Sequence, residues 1–420
     1  MTFESVIRSR QVCELVRSGP LGPYIDGFVE DAAAIGYTQS SFNDLVRGVS
    51  QFARYLAPMG ITDIKHIGDD LVRRFIATLP VSRCGRKYSM PSVRGSRAAR
   101  RLLGYLRRIG VVTAETRTSY SYTWILEAWL AFLRQHRGLS EGSVDVYRRH
   151  AEPFLQDLGR GAEPDYLASL SHVQVSDFLQ RQAPRFARAT RKNLVIALRT
   201  FLRFAFTMGY LPSDLSTTIE RVPCFTLDRL PRGPKWEDLP KLLATVDRST
   251  KPGRRDFAIL LILMTYGIRA GQLAGLRLQD VHWRDGHITF PTAKRGRQVT
   301  APLTTSVGSA LLEYIRDSRP ETTARQIFLS LDPPFQPLAT TSVYNIVCRA
   351  FQLSGIESPH RGSHAIRHAW ATRAFAQGQP LKTVADLLGH RSIESTRIYT
   401  KVDYTQLRSV GLGWPEELRP

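Results

Sequence analysis

The stretch LGHRSIESTRIYTKV, Leu388 to Val402, contains one tyrosine, Tyr399, and its interpretation decides that of the whole chain. The apolar residues before it have helical spacing, and Gly389 suits the position just after a helix C-terminus. Ser392 can cap a new helix with Glu394 in its first turn. Tyr399 then lies about two turns along that helix. Most tyrosines are packing residues with a polar tip, so only the rest of the chain can show whether this one is chemical.

Composition predicts a folded, strongly basic protein. The 420 residues suit two or three domains, with 43% hydrophobic and 23% charged residues. Lys plus Arg is 58 against 37 for Asp plus Glu, a net charge of +21. Because cations that neutralise phosphates release counterions, this excess favours double-stranded DNA as partner. The alternative is a charge that serves solubility alone.

Targeting signals are not apparent, so we expect a cytoplasmic protein of the bacterial nucleoid. The longest apolar run, 257–268, is too short to cross a bilayer, and the N-terminus has no apolar signal core. Four scattered cysteines argue for reduced thiols and against a disulfide framework or a zinc cluster.

A weak internal repeat relates the first 115 residues to the next hundred. The segments Gly36 to Leu56 and Gly138 to Leu158 share an amphipathic helical pattern. The alignment places Phe52 on Phe154, Leu56 on Leu158, Phe75 on Phe178, and Gly110 on Gly209. We therefore predict two related helical modules, 1–115 and 116–214. Chance similarity between two amphipathic bundles is the alternative.

Both modules carry a basic segment that lacks acidic residues, 82–114 in the first and 180–204 in the second. A helix of this kind packs one face and offers the other to phosphates. The candidate DNA contacts are Arg83, Arg86, Lys87, Arg97, Arg100, Arg101, Arg185, Arg188, Arg191, Lys192 and Arg199.

A linker is expected at 215–235, where Pro, Ser and Thr are frequent and no period is sustained. The following domain, 236–405, opens with helices and then shows alternating β-branched runs, GHITFPT and RQVTAPL, around the turn AKRGR. LQDVHW is a candidate third strand. Helices return after Leu303, and residues 406–420 form a C-terminal tail.

Several side chains in this domain have both an ordinary and a chemical interpretation. Arg269 follows a buried helix and needs a partner, which an ion pair in the core would provide. Lys294 lies at the tip of the predicted hairpin, where most lysines are only solvated. His364 and Arg367 share a helix face, three residues apart. His364 and His368 have metal-ligand spacing, but without further ligands nearby we expect no metal.

In order, these residues form the series R…K…HxxR…GH…Y, made of Arg269, Lys294, His364, Arg367, His390 and Tyr399. The flanking sequences are YGIRAGQLAGLRLQDV and SHAIRHAWATRAFAQGQPLKTVADLLGHRSIESTRIYTKV. Both resemble the tyrosine recombinase (phage integrase) superfamily, in particular the integrases and transposases of mobile elements. The resemblance covers about 235–405, and a weaker one at about 118–212 matches the core-binding domain of the family.

The resemblance implies a mainly α fold with a small antiparallel β-sheet in the catalytic domain. One or two helical, SAM-like core-binding domains would precede that domain. Arg269 and Arg367 would clamp the phosphate, His364 would act as base, and Lys294 would protonate the leaving oxygen. His390 would hydrogen-bond a nonbridging oxygen, and Tyr399 would be the nucleophile. Neither metal nor nucleotide cofactor is implied.

Two departures from the family pattern stand out. Gln272 replaces the Glu that usually follows the first arginine, and we expect weaker support of Arg269 without loss of activity. Residues 1–115 are additional to a minimal two-domain recombinase. Their similarity to the following domain suggests a duplicated core-binding-like module, either an arm-site reader or an assembly surface.

The implied function is site-specific recombination of a mobile genetic element on paired DNA sites. It implies a tetramer, a Holliday junction and, in some systems, accessory recombinases or DNA-bending proteins. The tail would dock on its own domain or on a neighbouring protomer. A type IB topoisomerase and a catalytically silent DNA-binding protein are the alternatives.

Overall fold

The computed structural model describes residues 3–7, 9–35, 37, 39–61, 63–79, 81–84, 88–91, 93–112, 120–223, 233–292 and 298–389. For residues 40, 66, 81–84, 88–91, 93, 94, 160, 161, 164 and 165, only the backbone is described. The chain divides into two compact units, one formed by Met1–Ala114 with Arg229–Pro420 and the other by Glu115–Asp228. Among the described helices, none has both the length and the apolarity needed to cross a membrane.

Residues 3–112, here called the N-terminal bundle, form six helices and one hairpin. The helices are α1 Phe3–Val6, α2 Arg10–Ser18, α3 Ile25–Ala34, α4 Gln39–Leu56, α5 Asp69–Thr78 and α6 Val93–Arg108. The strands β1 Val81–Cys84 and β2 Tyr88–Pro91 pair antiparallel before α6. This hairpin was not predicted, because two strands of four residues are too short to show a sustained alternating pattern.

Residues 120–223, the middle bundle, contain five helices around their own apolar core. The helices are α7 Thr123–Gln135, α8 Glu141–Leu158, α9 Pro164–Leu167, α10 His172–Gln182 and α11 Arg188–Thr207. The chain after α11 stays packed on this bundle, because Leu211, Leu215 and Ile219 recur at helical spacing and are all buried. The first part of the segment predicted as a linker is therefore folded as far as residue 222.

The two bundles repeat one aromatic contact of their cores. Helices α4 and α8, which the sequence alignment superimposes, both have 18 residues. Phe52 meets Phe75 with ring centroids 4.9 Å apart, and Phe154 meets Phe178 at 5.1 Å. All four rings are buried. These are the residue pairs that the sequence alignment superimposes.

The last helix of each bundle also ends in the same way. Gly110 and Gly209 follow α6 and α11 with φ of 76° and 78°. The next amide in each case bonds back to a carbonyl of the last turn, Val111 to Leu106 at 3.0 Å and Tyr210 to Ala205 at 2.8 Å. This is the hydrogen-bond pattern of a Schellman motif, which requires a left-handed residue and so favours glycine.

Residues 233–389, here called the C-terminal domain, surround the buried helix α13 Lys251–Tyr266. Its other helices are α12 Pro240–Ala244, α14 Ala270–Gly275, α15 Thr305–Asp317, α16 Thr340–Leu353, α17 Ser363–Ala376 and α18 Leu381–Leu387. α13 begins where the Thr250 side chain accepts a bond from the Gly253 amide, with Pro252 in the first turn. It packs against α15 and α17, which places the start of α17 beside its C-terminus.

A three-stranded antiparallel sheet lies at one side of this domain, in the order β3 Val281–His282, β4 His287–Phe290 and β5 Val299–Pro302. Ile288 pairs with both Val281 and Ala301, and these side chains enter the apolar core. The predicted fold class, mainly α with a small antiparallel sheet in the C-terminal domain, is confirmed.

Candidate active site

The C-terminus of α13 is the point around which the candidate site is built. Gly267 follows the helix with φ of 60°, and its amide donates to the Leu263 carbonyl at 3.0 Å. A Cβ at this position would lie 2.8 Å from a ring atom of Trp370. Both the left-handed backbone and the close approach of the indole therefore require glycine.

Two side chains of α17 hold the end of α13 in place. The Trp370 indole donates to the Thr265 carbonyl at 3.0 Å. One turn earlier, Arg367 Nη1 donates to the Gly267 carbonyl at 2.9 Å. Spacing of three residues puts both side chains on one face of α17. The negative end of the α13 dipole favours the arginine at this place, although the side chain is only 1% exposed.

Arg269 and Arg367 converge on one carbonyl oxygen. Arg367 Nη2 donates to Leu388 O at 2.7 Å, and Arg269 Nη1 donates to the same oxygen at 3.1 Å. Arg269 Nη1 also reaches Gly389 O at 3.2 Å. Leu388 and Gly389 terminate α18, and Gly389 has the predicted left-handed conformation with φ of 60°. The helix end predicted at Gly389 is confirmed, and the two bonds of Arg269 described here go to backbone carbonyls.

Two guanidinium groups at one oxygen create a strongly positive site. Each helix-terminal carbonyl carries only a fraction of an elementary charge. A tetrahedral oxyanion carries a full charge, and planar guanidinium groups bind such anions with paired, charge-assisted bonds. The geometry therefore suits a phosphate group and, in particular, the extra charge that phosphate gains during displacement.

His364 begins the same face of α17, and its surroundings lower the pKa of its imidazole. Burial lowers its pKa from 6.5, and the charges of Arg367, Arg269 and His360 lower it further. The side chain has exposed surface. The protein packed around the rest of the ring nevertheless disfavours the imidazolium. A neutral imidazole next to two guanidinium groups can accept a proton, which is the role expected of a general base.

His368 lies against His364, with ring centroids 4.5 Å apart. Burial, followed by the influence of His364, lowers the pKa of His368 to about 4. The backbone at Gly233 crosses α17 beside it, where a Cβ would come within 3.6 Å of His368 Cβ. Among the residues that the structure describes, no group of three or more His, Cys, Asp or Glu side chains is placed to hold a metal ion.

Gln272 supports the backbone of Arg269. The residue is 2% exposed, and its Oε1 accepts the Arg269 amide at 3.1 Å. A neutral amide thus fixes the first turn of α14 without adding a negative charge next to the arginine.

Three of the six predicted catalytic residues, Arg269, His364 and Arg367, are brought together. Lys294, His390 and Tyr399 lie outside the described residues, as do the helix cap at Ser392 and the tail at 406–420. Sequence reasoning noted a glycine near Arg269 that permits an unusual backbone or a close approach, but it missed Trp370, which lies 105 residues from its acceptor Thr265. The helix-ending glycine was the only local signal.

Four arginines of α6 are paired with carboxylates from elsewhere in the same unit. Arg97 binds Asp332 at 2.7 Å, and Arg108 binds Asp31 through both oxygens at 2.8 and 2.9 Å. Arg101 lies 3.6 Å from Asp31, Arg107 bonds to Asp69, and Arg100 is exposed. For Arg83 only the backbone is described, and Arg86 and Lys87 lie outside the described residues.

On the middle bundle, the basic residues surround α11. Arg185 and Arg188 are exposed at its start, and Arg191 and Lys192 are half-buried one turn later. Arg199 donates to the Ile219 carbonyl. A groove of about 630 Å³ runs along this helix, and its apolar floor is edged by Arg137, Lys192, Arg199, Arg203 and Arg221.

Comparison with known proteins agrees with this geometry. Residues 235–406 match the model of the phage integrase family, and residues 126–209 match that of the phage integrase N-terminal SAM-like domain. A Sinorhizobium fredii protein named as an integrase/recombinase, y4rA, is 31% identical over 403 residues, covering 95% of this chain and 96% of the relative. The tyrosine recombinase XerD of Listeria monocytogenes is 30% identical and covers 68% of this chain and 96% of its own length.

Solved structures share the fold at lower identity. The XerH recombinase in a post-cleavage complex with palindromic difH has a TM-score of 0.54 at 19% identity, covering 80% of this chain and 92% of that one. The Tn1549 transposon integrase bound to transposon right end DNA has a TM-score of 0.53 at 16% identity, covering 68% and 97%. With the arginine pair and the neutral histidine in place, this chain belongs to the phage integrase family and is a tyrosine site-specific recombinase.

Proposed function

We propose that the protein recombines specific DNA sites of a mobile genetic element, with Tyr399 as nucleophile. The observation that carries this proposal is the convergence of Arg269 and Arg367 on Leu388 O. That oxygen lies two residues before His390 and eleven before Tyr399 along the chain. The same contact that forms the phosphate clamp therefore anchors the start of the nucleophile segment.

The proposed reaction is a transesterification. The Tyr399 oxygen attacks phosphorus, the bond to the 5′ oxygen breaks, and a 3′-phosphotyrosine forms. His364 accepts the phenol proton, because a phenol with a pKa near 10 is a weak nucleophile at neutral pH. Lys294 gives a proton to the departing 5′ oxygen, and His390 hydrogen-bonds a nonbridging oxygen. Arg269 and Arg367 stabilise the charge of the transition state.

Religation needs no external energy, since the phosphotyrosine bond retains that of the phosphodiester. A 5′-hydroxyl from the partner site attacks this bond and regenerates the tyrosine. Two such exchanges pass through a Holliday junction, and we propose a homotetramer on paired sites. The structural likeness to a lambda integrase tetramer solved on a Holliday junction, with a TM-score of 0.52 at 16% identity, supports the fold that such an assembly uses.

The bundles are proposed as DNA-binding modules. The repeated ring contacts and helix ends support an N-terminal bundle that duplicates the core-binding domain. The exposed Arg185 and Arg188 are the strongest candidates for phosphate contact on the middle bundle. Accessory recombinases or bending proteins would act on the same sites, and the tail would dock in cis or in trans.

The proposed origin from a mobile element follows from the sequence resemblance, and the relatives bear on the N-terminal bundle. The match to y4rA spans 95% of this chain, whereas the match to XerD spans 68% although it uses 96% of the XerD length. The N-terminal bundle is thus shared with the integrase/recombinase relative, beyond what the XerD match covers.

A nicked suicide substrate tests the nucleophile. We expect the wild-type protein to form a covalent adduct that denaturation does not release, and Tyr399→Phe to form none. Persistence of the adduct in Tyr399→Phe would move the nucleophile elsewhere. No adduct from the wild type would favour a catalytically silent DNA-binding protein.

Plasmid relaxation separates recombination from topoisomerase activity. On supercoiled DNA without a recombination site, we expect little relaxation, because cleavage is coupled to pairing of sites. Rapid multiple turnover on such a plasmid would instead assign the protein to type IB topoisomerase chemistry.

A further inference from the structure

The N-terminal bundle touches the C-terminal domain through one face of α6. Arg97 Nη2 lies 2.7 Å from Asp332 Oδ2, and the Tyr37 hydroxyl donates to the Pro333 carbonyl at 3.4 Å. Between them is a gap of about 590 Å³ that Arg100 and Arg101 also line. The gap therefore presents three guanidinium groups to the single carboxylate of a turn, residues 330–334.

This contact is built to be weak. Arg97 and Asp332 retain 43% and 44% of their side-chain exposure, and an exposed ion pair contributes little because solvent screens it. The hydrogen bond of Tyr37 is long. Among the described residues, the apolar cores of the N-terminal bundle and of the C-terminal domain share no member. Within that part of the chain, the N-terminal bundle and the C-terminal domain are therefore not joined by a shared apolar core, which is the usual basis of a permanent interface.

The matching face of the middle bundle is covered in a different way. Counting from Gly110 and Gly209, the residues Arg97 and Arg100 correspond to Ile196 and Arg199 on α11. There the covering segment is the chain that follows α11. Its Leu215 and Ile219 are buried in the core of the bundle, and Arg199 donates to the Ile219 carbonyl. Arg199 is thus bound by a segment whose side chains are buried in the middle bundle, whereas the corresponding contact of the N-terminal bundle is an exposed ion pair.

A carboxylate on an arginine uses the same donors as a phosphate oxygen. A polynucleotide offers a row of such oxygens, and its binding gains entropy as counterions are released. Asp332 brings one charge against Arg97, whereas a DNA strand could engage Arg97, Arg100 and Arg101 together. DNA therefore has the advantage in a competition for this face, increasingly so at low salt.

We propose that the α6 face is a DNA phosphate-binding surface which Asp332 occupies until the sugar–phosphate backbone displaces it. The contact with the turn at 330–334 is then the DNA-free arrangement, and the N-terminal bundle separates from this turn when DNA binds. This proposal rests on the proposed function in that the ligand is DNA.

The test is the affinity of the full-length protein for a fluorescently labelled duplex, measured by anisotropy over a salt series. Asp332→Asn removes the competitor, so we expect binding to tighten about two- to fivefold, the range that an exposed ion pair allows. The plot of log affinity against log salt should keep the wild-type slope in Asp332→Asn, because DNA makes the same phosphate contacts in both proteins, and should become shallower by about 0.9 in Arg97→Gln. Arg97→Gln should weaken binding, and Arg97→Gln with Asp332→Asn should bind like Arg97→Gln alone.

Asp285→Asn is the matched control, because it removes one exposed carboxylate of the same domain without contact to α6. Equal tightening in Asp285→Asn and Asp332→Asn would overturn the proposal, since net charge alone would explain it. Tightening by Asp332→Asn that persists in the Arg97→Gln background would overturn it as well.

Failure of the two proposals would look different. A protein that forms the Tyr399 adduct but binds DNA equally well with and without the Asp332→Asn substitution loses only the α6 surface. A protein that shows the expected cycle of affinities without any adduct retains the surface and loses the proposed chemistry.

Discussion

Replacing Gly267 by alanine should disturb the contacts that position Arg367 in the candidate active site. The residue has φ of 60°, and its new Cβ would lie 2.8, 2.9 and 3.0 Å from three atoms of the Trp370 indole. The ring cannot move freely, because it donates to Thr265 O at 3.0 Å. The Gly267 carbonyl is also the acceptor of Arg367. A displaced indole therefore shifts the helix that carries the arginine, or the acceptor that holds it.

The substitution should lower both the free energy of unfolding and the rate of strand cleavage. Left-handed backbone costs roughly 1–2 kcal/mol for a residue with a Cβ. Overpacking against the ring adds about 1–3 kcal/mol, and loss of the indole hydrogen bond about 1 kcal/mol. A shift of the guanidinium on the order of 1 Å should slow strand cleavage about 10²-fold, because such misplacement removes the alignment of the reacting groups.

Gly286→Ala is the control, since Gly286 has φ of 64° with no heavy atom within 4 Å of its added Cβ. It should carry only the backbone cost and cleave like the wild type. Urea unfolding gives the stabilities, and single-turnover adduct formation on a suicide substrate gives the cleavage rates. Equal stability of the two alanine variants, or unchanged cleavage in Gly267→Ala, would refute the role of the Trp370 contact.

Further predictions concern the neighbours of the arginine pair. Gln272→Leu leaves the half-buried Arg269 amide without the Gln272 acceptor and should lower the free energy of unfolding by about 1 kcal/mol, measured in urea. Gln272→Glu keeps the acceptor and should keep cleavage; equal behaviour of both variants would contradict this. The cleavage rate should fall with decreasing pH only below pH 6.5, because the folded protein lowers the pKa of His364, the proposed base. A decrease that begins at or above pH 6.5 would argue against His364 as base. For His368, the unfolded chain binds a proton below pH 6.5 and the folded protein only near pH 4. Its contribution to stability is therefore complete above pH 6.5 and is lost as pH falls through this window, by about 1–2 kcal/mol after solvent screening of the partly exposed ring. His368→Phe should remove this slope in urea unfolding measured from pH 7 to 4, and an unchanged slope would assign it to other groups.

Local patterns predicted the elements on which the site stands. The apolar run at 257–268 is the buried α13, the alternating runs form β4 and β5, and Gly389 ends α18 as expected. Each of these signals lies within about one turn or one strand of the feature that it predicts. Arg269, His364 and Arg367 followed from the order of the motif and are brought together in space.

Contacts between distant segments could not be predicted in this way. The basic segment containing α6 has no acidic residue, yet its arginines meet Asp31, Asp69 and Asp332 from other elements. A sequence segment without acidic residues can still contact acidic residues that the fold brings from elsewhere in the chain. The contact of the Trp370 indole with Gly267 is another contact between distant segments, which neither residue type nor spacing predicts. DNA contact by Arg97 and Arg101 stays a prediction that must contend with these ion pairs.

The separate apolar cores imply that the chain unfolds in stages. The N-terminal bundle, the middle bundle and the main part of the C-terminal domain each bury their own cluster of side chains. Cooperative unfolding extends only as far as side chains share a core, so heating should give several transitions instead of one. A partly unfolded molecule can then lose one bundle while the arginine pair remains assembled, and cellular proteases would meet that form before the fully unfolded chain.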